Sequence, residues 1–325
     1  MTSDCAPLPL PRLTASQLAD RSSVHAEHPF ILLADNASAA SGWTRSRLST
    51  TFWASLLSSS WPEATAEFWL HGPSPSNPFP EIQRMATAAR QLASQPHAYL
   101  LVQLPPQRWR RLARFSDAAV SPPSRVSWSC LGSARLEAEW HLKSHWSQLL
   151  AGRTGAGMAN HTDSLRAGAW HLQLAGRKRW RLSAYSGADG SPREVVYEAV
   201  LNPGEQLFYP PDWAHETQCL DAPTVSVTES IVPRAARRFY EQVQADCASQ
   251  SHASLHLSGE LCDAWERCKS AIIGSESDGE AAELPSWRER IRRVATSPMA
   301  AQRLVSEREA ILPEHACNDV QGLSQ

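Results

Sequence analysis

Two histidines and an aspartate carry the chemistry most readily read from this chain. His161 and Asp163 stand two apart in NHTDSLRAGAWHLQLAGRKRW, residues 160–180, so on an extended strand both side chains leave the same face. A third donor, His215, follows the apolar, proline-marked run LFYPPDW within PGEQLFYPPDWAHET, residues 203–217. Two imidazoles and one carboxylate make the facial triad of non-haem Fe(II) oxygenases, which leaves three coordination positions open. An HxD pair alone is a weak signal; the frame around it gives it weight.

Lys178 belongs to that frame. In KRWRL the cations at 178, 179 and 181 read most simply as solvated residues on the outer face of a strand. Yet Lys178 shares parity with Trp180 and Leu182, the apolar side. A lysine on an inner face costs several kcal/mol unless it meets an anion. Other histidine pairs are less promising: His141 and His145 stand at i, i+4 but lack the acidic residue of an HExxH arrangement, and they read as surface or packing residues, as do His252 and His256. GRTGAGM, residues 152–158, has three glycines but no following helix start, and reads as a bend that admits a ligand rather than a phosphate cradle.

The elements that must position these groups are mostly strands. From residue 169 onward AWHLQL, KRWRLS, EVVYEAVL, QLFYP, HETQC and TVSVTESIV follow one another, split by GADGSP, NPG, PPD and LDAP. Short strands at this density predict an antiparallel barrel or sandwich, and the double-sheet jelly roll supplies the natural closure. Trp170, Leu172 and Leu174 alternate with His171 and Gln173, so His171 faces away from the apolar set. Upstream, the sequence predicts a loose leader (1–24) with a short helix over 13–20, a strand over 29–33, a helix over 45–59, and strands over 66–70 and 98–104. EIQRMATAARQLAS, residues 81–94, reads as one helix with Ile82, Met85, Ala89 and Leu92 along one side. SPPSRVSWS reads as a loop entering a strand, and residues 136–150 as a helix followed by a strand. A βαβ arrangement of residues 29–104 remains a lesser alternative, since no Gly-rich phosphate loop follows any of these strands. Residues 25–233 then form the jelly-roll domain and 234–325 a C-terminal helical extension, ending in a helix over 287–312.

With 325 residues, 42% hydrophobic and 20% charged, the chain buries a sizeable core. A net charge of −2 gives no general attraction to nucleic acid or anionic membrane. Seven cysteines without a CxxC pair read as reduced thiols of an intracellular protein, cytoplasmic or nuclear. No apolar run reaches the roughly 20 residues of a membrane span, and the opening lacks the pattern of a signal peptide.

HTD followed by AWHLQLAGRKRWRL, and PGEQLFYPPDWAHET, together resemble the JmjC family of Fe(II)/2-oxoglutarate oxygenases within the cupin superfamily, over residues 146–232. Lys178 follows His161 by 178 − 161 = 17 residues, a spacing similar to the arginine-demethylase/lysyl-hydroxylase branch. The resemblance implies a mainly β, double-stranded β-helix with surrounding and C-terminal α-helices. It implies Fe(II) on His161, Asp163 and His215, with 2-oxoglutarate as cosubstrate, O2 as oxidant, and the distal carboxylate anchored by Lys178 and the hydroxyl of Thr228. It departs from the branch at His171 and Ser230, where asparagines stand, and at Met158, where a hydroxyl residue stands; these are the positions at which cosubstrate contacts differ.

The implied activity is hydroxylation or demethylation of a protein side chain, lysine or arginine, with Glu205, Asp212, Glu216 and Trp213 available as company for a cation at the mouth. A modified tRNA base is the alternative acceptor. Other readings are a non-enzymatic cupin binding or scaffold protein and a cupin isomerase or hydrolase with another metal. The C-terminal helices suggest a homodimer or a shaped substrate entrance. Should Lys178 prove to be a surface residue, Arg166 and Arg177 are the next cations to consider.

Overall fold

The computed structural model describes residues 7–14, 17, 28–33, 49–61, 64–105, 128–163, 165, 167–186, 193–231, 236–249 and 255–273. Edge strands come first: β1 (Leu8–Pro9), β2 (Arg12–Leu13) and β3 (Phe30–Leu32). Helix α1 (Thr50–Ser60) follows, with Ser49 capping it by accepting from the Phe52 N–H. Then come β4 (Thr65–Leu70), β5 (Glu81–Arg84), α2 (Met85–Ser94) and β6 (Ala98–Gln103). A 3-10 turn (Trp128–Leu131) leads to α3 (Ala134–Lys143). The jelly roll itself is built from β7 (Ser147–Gly152), β8 (Gly157–His161), β9 (Gly168–Ala175), β10 (Lys178–Ser186), β11 (Arg193–Leu201), β12 (Gln206–Tyr209), β13 (Ala214–Cys219) and β14 (Thr224–Ile231). Helices α4 (Ala236–Ala248) and α5 (Gly259–Ile273) complete the described chain.

Two sheets result, ordered β1-β11-β10-β13-β8 and β2-β3-β12-β9-β14-β7-β6-β4-β5. The last eight strands divide four and four between them, with β7, β9, β12 and β14 in the large sheet and β8, β10, β11 and β13 in the small one. This is the jelly-roll architecture expected from the run of short strands. The segments β4, β5 and β6 pair antiparallel along the same large sheet, which removes the βαβ alternative.

The large sheet is covered on its outer side by α1 and α2. Their apolar positions recur at helical spacing, Trp53, Leu56 and Leu57 on one and Met85, Ala88, Ala89 and Leu92 on the other. They share a core with Leu149, Trp170, Leu172, Leu174, Val225 and Val227. Residues of β9 on the opposite face, His171 and Gln173, are equally inaccessible because that face lines the interior between the sheets. The alternation predicted from the sequence thus separates two buried environments, one apolar and one polar.

A second core joins α3, α4 and α5 through Trp128, Trp140, Trp146, Phe239 and Trp265, with neighbouring ring centroids 4.8–6.4 Å apart. Disulfides Cys130–Cys268 and Cys247–Cys262 tie the 3-10 turn to α5 and α4 to α5. Four of the seven cysteines are therefore not free thiols, contrary to the sequence-based expectation, and Cys219 is a buried free thiol. Separations of 138 and 15 residues form no recognisable spacing pattern, so the pairing emerges only when the helices pack. The inference of an intracellular location loses the support it drew from reduced thiols. Among the described residues Phe239 and Val243 of α4 and Leu261, Ala264 and Trp265 of α5 are buried within the chain.

Three local expectations are corrected. Residues 81–84 form strand β5, because Thr65↔Arg84 through Phe68↔Glu81 pair across the sheet edge, and Ile82 is left 63% exposed. Of the helix expected over 13–20, Leu13 lies instead in a strand paired parallel with β3, Gln17 is helical, and 15–16 and 18–20 lie outside the described residues. Trp128–Leu131 is a 3-10 turn rather than a strand. The helix expected over 287–312 lies outside the described residues, as does the start of the one expected from residue 45.

Close approach of β8 and β13 depends on Gly157, where an added Cβ would stand 1.9 Å from the Thr217 carbonyl oxygen. Gly157→Ala is expected to force these two strands apart and to lower stability by about 1–3 kcal/mol, read as a reduced thermal midpoint. An unchanged midpoint would mean that the pair accommodates a side chain there.

Candidate metal centre and its cavity

Register places the donors. His215 on β13 is the Cα partner of His161 at the end of β8, and their rings lie 4.2 Å apart. Asp163 stands two residues beyond, where the chain leaves β8, and its Oδ1 lies 3.9 Å from His161 Nε2 and 3.8 Å from His215 Nε2. One donor atom from each of the three residues falls within 4.8 Å of the others, and no other such cluster of three occurs among the described residues.

The hydrogen bonds around the imidazoles aim them. Nδ1 of His161 lies 2.8 Å from the Ala159 carbonyl and Nδ1 of His215 lies 3.2 Å from the Trp213 carbonyl. A carbonyl only accepts, so each Nδ1 carries the proton and each Nε2 presents its lone pair to the shared point. Metal-binding histidines are held in this way, and the donor set suits a first-row divalent ion such as Fe(II). Burial lowers His215 to about 4, keeping the ring neutral. Trp180 stacks on His215 at 5.6 Å and 29°.

The site opens into a cavity of about 130 Å³ lined by residues of both sheets, including Gln148, His171, Lys178, Thr217, Thr228 and Ser230. Lys178 is 1% exposed, as its parity with Trp180 predicts. Its Nζ lies 3.5 Å from the Tyr99 hydroxyl and 5.3 Å from the Trp180 ring, and no carboxylate is paired with it among the described residues. Burial lowers its pKa to about 8. A buried ammonium beside a phenol, the Cys219 thiol and aromatic faces suits an anionic group.

His171 is fully buried on the same cavity wall, packs edge-on to Trp180 at 4.6 Å, and makes no well-formed hydrogen bond from either ring nitrogen among the described residues, with the Gln173 side chain the polar group acting on it. Burial, and then the neighbouring Lys178, lower its pKa well below the ordinary value, so the ring is neutral with one donor and one acceptor. Leaving such a group unpaired costs about 1–3 kcal/mol, which a ligand oxygen would relieve. Thr228 also lines the cavity, but its hydroxyl donates to the Trp170 carbonyl at 3.0 Å. In this rotamer it offers a ligand its lone pairs rather than its proton. Ser230 and Met158 line the cavity as well.

Other candidates from the sequence fall elsewhere. Glu205 binds Arg12 and the Asn202 N–H, Glu216 lies 3.8 Å from Arg181, Trp213 packs against Tyr197, and neither they nor Asp212 line the cavity. The expected acidic company for a cationic substrate is absent there, because Glu216 points to the outer face of its strand while Glu205 is held by the turn before β12. His141 is a buried packing residue, and exposed His145 lies at the cavity rim on a left-handed backbone, φ 53°. Arg177 forms a two-pronged, exposed pair with Asp221, which excludes it as the cavity cation, and Arg166 lies outside the described residues.

Tyr99 and Tyr209 are residues that the sequence reading missed. Tyr99 approaches from β6, on a strand far from any motif. Tyr209 lies six residues before His215, and its hydroxyl reaches Asp163 Oδ2 at 2.7 Å and His215 Nε2 at 3.3 Å. The one available signal was the alternation in β12, which sets Leu207 and Tyr209 on the face opposite Phe208.

Residues 131–238 match the family model described as JmjC domain. A curated relative, the bifunctional lysine-specific demethylase and histidyl-hydroxylase NO66 of Drosophila persimilis, is 27% identical over 129 residues. That match covers 35% of this chain and only 18% of the relative. Among solved structures, the ribosomal oxygenase YcfD of Escherichia coli is 16% identical over 76% of this chain and 64% of its own, with a TM-score of 0.39. A second YcfD structure, in complex with cobalt and succinic acid, gives 0.38 with the same coverage.

Lys178 also makes a pH-dependent contribution whose sign is determined. Between about 8 and its ordinary value of 10.5, the unfolded chain holds the lysine proton and the folded chain does not. Stability of the ligand-free protein therefore rises with pH through that window relative to Lys178→Met, by up to about 3 kcal/mol. Denaturant unfolding of both proteins at several pH values between 7.5 and 10.5 checks this, and parallel curves would place a compensating anion beside the ammonium.

Proposed function

Since this chain carries a JmjC domain on a jelly-roll frame, we propose that it is an Fe(II)- and 2-oxoglutarate-dependent dioxygenase acting on a protein side chain. The observation that carries this reading is one cavity holding both a His-His-carboxylate donor set and a buried lysine ammonium with no carboxylate paired to it among the described residues. Metal donors alone would suit many cupins, including isomerases and hydrolases. The cation beside them selects a cosubstrate with a carboxylate at its far end.

His161, Asp163 and His215 would hold Fe(II) through Nε2, one carboxylate oxygen and Nε2, leaving the remaining positions for a bidentate ligand and O2. When bound, Fe(II) with 2-oxoglutarate and O2 supplies oxidative decarboxylation to succinate and CO2, coupled to oxidation of a C–H bond of the acceptor. The chain's own residues provide orientation and dryness. Lys178 would meet the distal carboxylate with a charge-assisted hydrogen bond, His171 would donate from its neutral ring, and Thr228 and Ser230 line the wall beside them. Trp180 is stacked on His215 and its ring lies 5.3 Å from the Lys178 Nζ, so one apolar face adjoins both the metal donors and the ammonium.

For the acceptor we propose a protein side chain. The spacing resemblance favours lysine or arginine, and the name of the curated relative, a lysine-specific demethylase and histidyl-hydroxylase, supports a protein substrate in general. Among the described residues Asp163 is the only acidic side chain lining the cavity, and it belongs to the metal donors. A neutral acceptor such as histidine is therefore the second reading. Cytoplasmic or nuclear residence accompanies this proposal as the location of such substrates.

Succinate release from 2-oxoglutarate in the presence of Fe(II) should disappear in His161→Ala, Asp163→Ala and His215→Ala, each with the parent's circular dichroism. Lys178→Ala should keep its metal and raise the apparent 2-oxoglutarate constant by about one to two orders of magnitude, the equivalent of roughly 1.5–3 kcal/mol. Mass spectrometry of protein and RNA from cells with and without the active enzyme decides the acceptor. A lost oxygen on a tRNA base with an unchanged proteome would refute the protein-substrate proposal.

A further inference from the structure

We propose that Tyr209 is a positioning residue for the metal-binding carboxylate: its hydroxyl holds Oδ2 of Asp163 so that Oδ1 alone is presented beside the two imidazole Nε2 atoms. This inference rests on the metal-centre reading above. Each imidazole of the triad is restrained by a backbone carbonyl, Ala159 for His161 and Trp213 for His215. Among the described residues no backbone group holds Asp163 in this way. It stands beyond the end of β8, its side chain is 27% exposed, and its hydrogen-bond donor among the described residues is Tyr209. Without that contact the carboxylate would turn about its terminal torsion, which has broad, soft preferences.

The phenol is well placed to prevent this. Tyr209 is 3% exposed at the end of β12, its Cα paired with Ala169 of β9, and its ring packs on His215 at 4.6 Å and on Trp180 at 6.0 Å. A carboxylate oxygen only accepts, so the phenol donates its single proton across the 2.7 Å contact. The longer 3.3 Å contact to His215 Nε2 then takes no proton, and that nitrogen keeps its lone pair for the metal. The two carboxylate oxygens thus become distinct: Oδ2 is engaged with Tyr209, and Oδ1 is the atom 3.9 and 3.8 Å from the imidazole nitrogens. The result is a carboxylate that binds through one oxygen, leaving coordination positions for other ligands.

Tyr209→Phe removes only the hydroxyl, and titration of the full chain with Co(II) alone reads the effect. The Kd should rise about 10–100-fold, the usual loss when a partner outside the ligand set is removed, with an unchanged thermal midpoint in the absence of metal. The same substitution made in an Asp163→Ala background should leave the weaker Co(II) affinity of that variant unchanged, since the contact no longer exists. An unaltered Kd in the single variant would overturn the proposal, and so would an equal loss in both backgrounds, which marks a packing role. A visible phenolate-to-metal charge-transfer band in the Fe(III)-loaded parent, absent from the Phe variant, would also overturn it by making Tyr209 a ligand. No Co(II) binding by the parent would instead overturn the metal-centre reading itself, and this inference with it.

Discussion

The register of β13 between β8 and β10 is the constraint on which the rest of the site depends. On one side it sets His215 opposite His161, and on the other it sets His215 opposite Leu182, Thr217 opposite Trp180 and Cys219 opposite Lys178. Metal donors, aromatic wall and ammonium therefore lie in successive rows on one face of the small sheet. A slip of β13 by one residue would turn His215, Thr217 and Cys219 outward, away from His161, Trp180 and Lys178, because side chains alternate with a period of two. The pairing of β13 with β8 shifts between His215 and Thr217, with one extra residue on β8.

This placement brings together groups that destabilise the empty fold. Among the described residues Lys178 is buried without a carboxylate partner, His171 makes no well-formed hydrogen bond from either nitrogen, and His215 is kept neutral by desolvation. A core selected only for stability would replace them with apolar side chains. The apolar packing that opposes this cost lies outside the cavity, in the shell of α1 and α2 against the large sheet. Local disagreement with the rules of burial, concentrated on one wall, is the physical mark of a ligand site.

The helical cap has a different character. Its five aromatic rings and two disulfides hold α3, α4 and α5 together beside the barrel. Residues Ser144 and His145, just after α3, line the cavity, and Trp146 between them and β7 is anchored in the aromatic cluster. The rim of the site is thus attached to a cross-linked body and not to a free loop.

From the sequence alone the strand succession, the jelly-roll class, the triad and the inward parity of Lys178 were legible. Alternation, turn residues and the two-residue spacing of His161 and Asp163 are local properties, whereas His215, 215 − 163 = 52 residues past Asp163, was joined to them through the family resemblance. The strand at residues 81–84 was not legible, because its pairing with β4 across the sheet edge overrides a helical pattern that continues into α2. The disulfides, Tyr99, Tyr209 and the diversion of the Thr228 hydroxyl to Trp170 were equally hidden, as was the absence of Glu205, Asp212 and Glu216 from the cavity. All of these depend on which strands and helices become neighbours. Residue types and spacing determined which groups could bind a metal and an anion; only the closure of two sheets decided which of them share a cavity, because contacts between chain-distant strands are set by register and packing.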